Sequence, residues 1–310
     1  MKLIETLEAI KEPFNNAVVT IGNFDGVHKG HQALLNNIIN KAKEINGTSV
    51  AVTFEPHPIR VLKTNNHPPL ITIYEQKLEL LEKTGIDVLI SIPFTKEFAA
   101  IGAKSFVEDL LVKKIGMKAM VVGKDYSFGK KREGNIEMLK EFSDRLGFEV
   151  IVPEWITPPD VDERISSTKV REIISSGKVE KAPGLLGRHY QIRGRVVAGR
   201  DRGGKLLGCP TANLNLLDEL CPETGVYAVT VESEKGLFNG VANIGYSPTF
   251  DDHLFTIEVH ILDFNDDIYN KDIRVNLIQK LRDEVKFSGI DELSKQIEKD
   301  IQEARRVLGK

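Results

Sequence analysis

The spacing of apolar positions changes once along this chain. In the first half, short apolar runs alternate with amphipathic segments. Residues 18–21 (Val-Val-Thr-Ile) predict a buried strand. After them Leu34, Leu35, Ile38, Ile39, Ala42 and Ile45 recur at helical spacing. The alternation continues with strands over 49–54, 88–92, 119–122 and 148–152. Helices over 74–83, 104–114 and 136–146 lie between them. This βαβα order predicts an α/β fold, a parallel sheet with helices on both faces.

Beyond Ser166 a helix over 168–176 leads into Lys181-Ala182-Pro183-Gly184. The pattern then shortens to strands over 190–197, 226–232, 237–243 and 255–262, separated by Gly, Pro, Asn and Asp. That pattern predicts a small antiparallel barrel or sandwich. Leu293, Ile297, Ile301 and Ala304 share one face of a final helix over 290–308, which predicts packing on the β-unit. The boundary is placed near 182–188, giving domains 1–182 and 183–310.

Composition narrows the class without naming a reaction. The 310 residues suit two domains, and 41% hydrophobic with 28% charged residues is ordinary globular content. A net charge of -3 argues against bulk nucleic acid as the partner. The two cysteines, Cys209 and Cys221, predict reduced thiols rather than a metal site. The first residues lack the basic start and apolar run of a signal peptide, and no run reaches the ~18 apolar residues of a membrane span. A cytoplasmic protein without membrane partners is expected. Nothing in the pattern indicates an oligomer.

The sharpest chemical signal is Gly22-Asn23-Phe24-Asp25-Gly26-Val27-His28-Lys29-Gly30-His31. It follows a predicted strand and opens a predicted helix. The unpaired N–H groups and positive end of that helix suit phosphate oxygens. One helical turn aims His28 and His31 at the same place, where two imidazoles can donate to charge building on a triphosphate. The plainer reading is two histidines decorating a helix start. A zinc site is weaker, because no third ligand lies near in sequence. Ser166-Ser167-Thr168 before an apolar helix reads as an N-cap, and with Arg164 and Arg171 also as a phosphate-holding helix start.

In the second half, Gly199-Arg200-Asp201-Arg202-Gly203-Gly204-Lys205-Leu206 nearly spells a P-loop but has Leu206 where Ser or Thr is required. It remains a candidate glycine-rich turn toward ATP. Thr211 and Asn213 are two apart, so on a strand they share a face, and both offer hard oxygen atoms suited to Mg²⁺. Taken alone, Thr-Ala-Asn is a common polar turn. Glu258 lies on an otherwise apolar strand with Thr256 and His260 on its face, either as a solvent-facing position or as a general base.

These segments carry a family resemblance. The run 22–31 resembles the signature of H-x-G-H nucleotidylyltransferases, and within them the prokaryotic bifunctional FAD synthetases. Thr53-Phe54-Glu55-Pro56-His57-Pro58, Val122-Gly123-Lys124-Asp125-Tyr126-Ser127-Phe128-Gly129 and Arg164-Ile165-Ser166-Ser167-Thr168-Lys169-Val170-Arg171 match the same subfamily in order. The resemblance implies a Rossmann-like nucleotidylyltransferase-type sheet that transfers AMP from ATP to FMN, releasing pyrophosphate. It implies ATP contacts from Gly22, Phe24, Asp25, Gly26, His28, His31, Arg164, Ser166, Ser167, Thr168 and Arg171. It implies a flavin wall from Asn23, Phe54, Pro56, His57, Asp125, Tyr126 and Phe128. Phe54 and Phe128 are equally readable as plain core.

The second half is similar to riboflavin kinase. The matching segments include 188–197, Leu207-Gly208-Cys209-Pro210-Thr211-Ala212-Asn213-Leu214, 225–229, 240–245, Pro248-Thr249-Phe250, Glu258-Val259-His260 and 281–287. The resemblance implies a six-stranded antiparallel barrel that phosphorylates riboflavin. Gly194, Gly204, Lys205, Gly208, Pro210, Thr211 and Asn213 would then hold ATP, Thr211 and Asn213 the Mg²⁺, and Glu258 would be the base. Cys209 departs from the family's usual Phe. Two other readings stand beside this one: a nucleotidylyltransferase for another phosphorylated acceptor with a regulatory flavin-binding β-domain, and a flavin sensor without turnover. The segments 53–58 and 122–129 favour flavin over the first. The joint presence of His28, His31, Thr211, Asn213 and Glu258 speaks against the second.

Overall fold

The computed structural model describes residues 1–63, 67–154, 164–197, 211–215, 219–246 and 255–309. The chain divides into two compact units, Met1–Ser166 and Ser167–Lys310.

The first unit is built on a six-stranded sheet. Its strands are β1 (Lys2–Ile4), β2 (Ala17–Ile21), β3 (Ser49–Glu55), β4 (Val88–Pro93), β5 (Met117–Val121) and β6 (Glu149–Ile151). Their spatial order is β1-β4-β3-β2-β5-β6, and every pair is parallel. All five residues of β2 are buried, because both faces of the sheet are covered. Ala17, Val19 and Ile21 face one apolar layer, and Val18 faces the other. That explains why the strand reads as a continuous apolar run rather than an alternation.

The helices are α1 (Lys29–Glu44), α2 (Pro58–Leu62), α3 (Tyr74–Glu82), α4 (Ala103–Ser105) and α5 (Ile136–Leu146). The helix expected over 104–114 widens after α4 into a π-helical run, Phe106–Ile115, ended by Gly116 at φ 83. From β2 the chain adds β3 and β4 on one side, then returns to place β5 on the other. The order therefore reverses between β2 and β5, the kind of switch point at whose carboxyl strand ends such sheets bind ligands.

The second unit opens with α6 (Ser167–Ser175) and α7 (Ala182–Leu186). It continues as β7 (Tyr190–Val197), β8 (Ala212–Asn215), β9 (Gly225–Ser233), β10 (Gly236–Tyr246), β11 (Phe255–Ile261) and β12 (Asp272–Arg282). These close into an antiparallel barrel of order β10-β11-β8-β7-β12-β9, and α8 (Ile290–Val307) follows. Two barrel strands were not picked out from the sequence. β8 is four residues long and shaped like a polar turn; its pairing with β7 and β11 makes it a strand. β12 is half-exposed and polar on one face, while Ile273, Val275 and Leu277 fill the barrel from the other. α8 is fixed by Arg282, whose guanidinium donates two hydrogen bonds to Asp300 at 2.9 and 2.8 Å. Asp300 is only 6% exposed, so this pair is a clamp that neither partner can leave cheaply. Among the described residues, no helix is long and apolar enough to cross a membrane.

Candidate functional sites on the two units

The loop after β2 is held in a costly shape. Phe24 (φ 48) and Val27 (φ 39) are buried residues in left-handed backbone, normally the place of glycine. Asp25 explains how that shape persists. Its carboxylate, 3% exposed, accepts from the backbone N–H of Ile71 at 3.0 Å and of Thr72 at 3.1 Å. Thr72 in turn accepts from the N–H of Gly26 at 3.1 Å. Asp25 thus holds the loop from behind. Gly26, at φ +82, has no room for a side chain, since a Cβ would lie 2.9 Å from Ile71.

This loop delivers the chain into α1 at His28, which is the N-cap. The Nδ1 atom of His28 accepts from the His31 backbone N–H at 3.3 Å. In the neutral ring the proton then sits on Nε2, which makes that nitrogen the donor. The rings of His28 and His31 stack at 3.6 Å and 16°, and Phe24 meets His31 edge-on at 5.3 Å. The Nδ1 atom of His31 is sealed from solvent and has no hydrogen-bond partner. Burial, and then the neighbouring His28, push the His31 pKa well below the usual imidazole value. His31 is therefore neutral at pH 7. No acidic side chain occupies the first turn of α1, so its positive end is left for a ligand.

Three contacts link the separated motifs to one another. Thr53 Oγ1 donates to the Asn23 carbonyl at 3.3 Å, tying the end of β3 to the first loop. A Cβ on Gly30 would stand 3.1 Å from His28 Nδ1 and 3.5 Å from the Ile165 carbonyl, so the fourth motif passes directly over α1. Arg164 pairs with Asp125 at 3.0 Å, which joins the fourth motif to the third. Ser166 ends the first unit, while Ser167, Thr168 and Arg171 open α6 in the second.

The apolar part of the site is larger than the sequence suggested. Phe54 packs against Phe94 at 5.4 Å and Phe98 at 5.7 Å. Phe98 meets Phe106, Phe106 meets Phe128, and Phe128 stacks on Tyr126 at 5.6 Å. Phe54 and Phe128 are thus two ends of one aromatic run. Burial raises the Tyr126 pKa, which keeps its hydroxyl protonated. Phe94, Phe98 and Phe106 were missed, although Phe94 directly follows a strand end. His57 caps α2 by accepting from Ile59 N–H at 3.2 Å, and Pro56 before it is exposed.

On the barrel, Glu258 of β11 lies directly opposite Asn213 of β8 on one side and Asn243 of β10 on the other. Opposite residues point to the same face of an antiparallel sheet. Ala212, Leu214, Ile257 and Val259 fill the interior, so Asn213, Asn243 and Glu258 share the outer face, with Thr211 two residues before Asn213. A cavity of about 350 Å³ lies on that face, lined by Thr211, Asn243, Glu258, Arg282, Glu284 and apolar side chains of α8. A second, of about 260 Å³, adjoins Thr211 from the other direction, beside Phe264, Asp266 and Tyr269. Burial raises the Glu258 pKa, which makes it a better proton acceptor once ionised. Arg282, Asn243 and Glu284 were not singled out from the sequence, since only the register and the packing of α8 bring them to Glu258. Gly194 lies on β7, where a Cβ would meet the Asn215 carbonyl at 2.9 Å. Gly204, Lys205, Gly208, Cys209 and Pro210, with the turn 199–206 and Pro248-Thr249-Phe250, lie outside the described residues.

An α/β unit with a helix-start imidazole pair, followed by a closed barrel with a carboxylate at a cavity, defines a two-unit transferase acting on nucleotides. The comparisons make this specific. Residues 10–169 match the family model of FAD synthetase, and residues 186–308 that of riboflavin kinase. Proteins named bifunctional riboflavin kinase/FMN adenylyltransferase are similar over nearly full length. The one from Haemophilus influenzae is 39% identical over 98% of both chains. The one from Bacillus subtilis is 38% identical over 96% of this chain and 94% of its own. A solved structure from Streptococcus pneumoniae, described as a macrolide-efflux protein, shares the fold at TM-score 0.87 and 35% identity over 98% of each chain. The chain belongs to the bifunctional riboflavin kinase/FMN adenylyltransferase family.

Proposed function

We propose that the two units carry successive steps of flavin cofactor synthesis, each with its own nucleotide site. In the barrel, the ribityl 5′-hydroxyl of riboflavin attacks the γ-phosphorus of ATP, its proton passes to Glu258, and ADP leaves. Riboflavin occupies the larger cavity, where Glu258 and Asn243 supply polar contacts and α8 the apolar cover. ATP approaches from the Thr211 side. The hydroxyl of Thr211 and the amide oxygen of Asn213 are hard donors on the Glu258 face, which fits Mg²⁺ shared with phosphate oxygens. When bound, that ion would neutralise phosphate charge during the transfer.

In the α/β unit, a phosphate oxygen of FMN attacks the α-phosphorus of ATP and pyrophosphate leaves. No covalent enzyme intermediate is needed, so the protein's work is alignment and charge stabilisation. The start of α1 and the imidazole pair face the triphosphate, and the aromatic run backs the flavin ring. Arg164 and Ser166 complete the phosphate side within that unit. The functional division lies at 182/183, and the protein works in the cytoplasm.

The observation that carries this reading is the linkage of four separated segments: Thr53 to Asn23 in the loop before α1, Ile165 against Gly30 in its first turn, and Arg164 to Asp125. The direct test is incubation with riboflavin, ATP and Mg²⁺. FMN and then FAD should accumulate; a folded protein that forms neither would refute the proposal.

A further inference from the structure

The segment after the third motif holds a cation that the mechanism above leaves unused. Lys131 (φ 53, ψ 24) and Arg132 (φ 60) are consecutive non-glycine residues in left-handed backbone. Such a pair persists only where its surroundings enforce it. Here three fixtures do so. Gly129, at φ +74, lies so close to α4 that a Cβ would stand 2.7 Å from the Ala103 nitrogen. Glu133 accepts from that same Ala103 N–H at 2.7 Å. Gly134 exchanges backbone hydrogen bonds with Phe128 at 2.9 and 3.0 Å, and a Cβ on it would meet the Phe128 ring at 2.6 Å. The turn is therefore fastened to the aromatic run and to α4.

The consequence is an exposed guanidinium held by a side-chain hydrogen bond next to the aromatic run. Arg132 Nε donates to Ser127 Oγ at 2.6 Å, and Ser127 lies in sequence between Tyr126 and Phe128, whose rings stack. Nearby charges are already matched: Asp125 by Arg164, and Lys124 by Glu154. Among the described residues, no carboxylate pairs with Lys130, Lys131 or Arg132. The two terminal nitrogens of Arg132 form a planar fork suited to two oxygens of one phosphate. The α1 start and the imidazole pair already serve the triphosphate. A dianionic monoester next to the aromatic pair is the anion left to recognise.

We propose that Arg132, oriented by Ser127, binds the phosphate of the flavin acceptor, and so selects FMN over riboflavin in the α/β unit. The assignment rests on the adenylyltransferase reading of that unit. It also gives Ser127 a defined purpose as a positioning residue.

The test is the steady-state kinetics of FMN conversion to FAD by the full chain carrying Arg132→Ala, Arg132→Lys or Ser127→Ala. Loss of a charge-assisted fork predicts a rise in KM for FMN of about 10- to 100-fold in Arg132→Ala. KM for ATP should stay unchanged, and kcat at saturating FMN should remain near that of the parent, which also shows that the unit is folded. Arg132→Lys should recover part of the loss, because charge returns without the fork. Ser127→Ala should show a smaller rise. An unchanged KM for FMN overturns the assignment, and so does a rise confined to ATP, which would place Arg132 on the triphosphate. If the unsubstituted protein makes no FAD from FMN, the adenylyltransferase reading fails. If it does and the variants match it, only the role of Arg132 fails.

Discussion

The two units meet phosphate chemistry from opposite directions. The α/β site is a strained loop and a helix end, with two imidazoles stacked on each other and His31 neutral. The barrel site is the outer face of a sheet, with the desolvated Glu258 carboxylate at a roomy cavity lined by a clamped helix. Adenylyl transfer needs no proton acceptor, since the attacking phosphate is already anionic. Phosphorylation of a hydroxyl does. The difference in side chains follows from that difference in nucleophile, and substitutions should separate the two sites.

The largest effect is expected at Glu258. Glu258→Gln should lower FMN formation by about 10²- to 10⁴-fold, the usual contribution of a positioned base, while added FMN is still converted to FAD. Loss of both steps in a folded protein would dissolve the distinction between the sites. His31→Ala should do the reverse, with FAD formation falling about 10²- to 10³-fold and riboflavin phosphorylation intact. Gly30→Ala should act more mildly on the same step, by about tenfold, because its Cβ would press on His28 Nδ1 and shift the donor geometry. Unchanged FAD formation in that variant would mean the α1 start need not be so tight.

The smallest effects concern protonation. An NMR titration of the free protein should place His31 well below the ordinary imidazole value, and bound ATP should raise it by opposite-charge attraction. A free-state value at or above 6.5 would contradict the burial argument. Glu258 differs in sign. Its folded pKa is raised, so its ionised form at pH 7 opposes folding. Protonation relieves this, and the contribution to stability is greatest below the unfolded pKa and lost as pH rises through the folded one. Glu258→Gln should therefore raise the barrel's melting temperature slightly at pH 7, with the gain fading in acid.

Legibility followed locality. His28, Gly30 and His31 lie within one turn of chain, and their geometry could be read directly from spacing. The buried strands around them could be read too, because a parallel sheet covered on both faces needs continuous apolar runs. The barrel and its final helix were expected too, but its site was harder to read from spacing. Glu258 was one polar position on an apolar strand until the register set it opposite Asn213, and Arg282 gains meaning only through Asp300, a helix away. Phe98 and Phe106 were hidden for a similar reason, since the aromatic run is assembled from separate strand ends and helices. The Asp25 clamp on Ile71 and Thr72 needed the fold to be visible at all.

The most direct measurement is chromatographic separation of flavins after the full chain, Glu258→Gln and His31→Ala are each given riboflavin, ATP and Mg²⁺. Two independent centres predict FAD from the parent chain, unreacted riboflavin from the Glu258 variant and accumulated FMN from the His31 variant. FAD from either variant at the parent's rate, or FMN absent from the His31 reaction, would contradict the account.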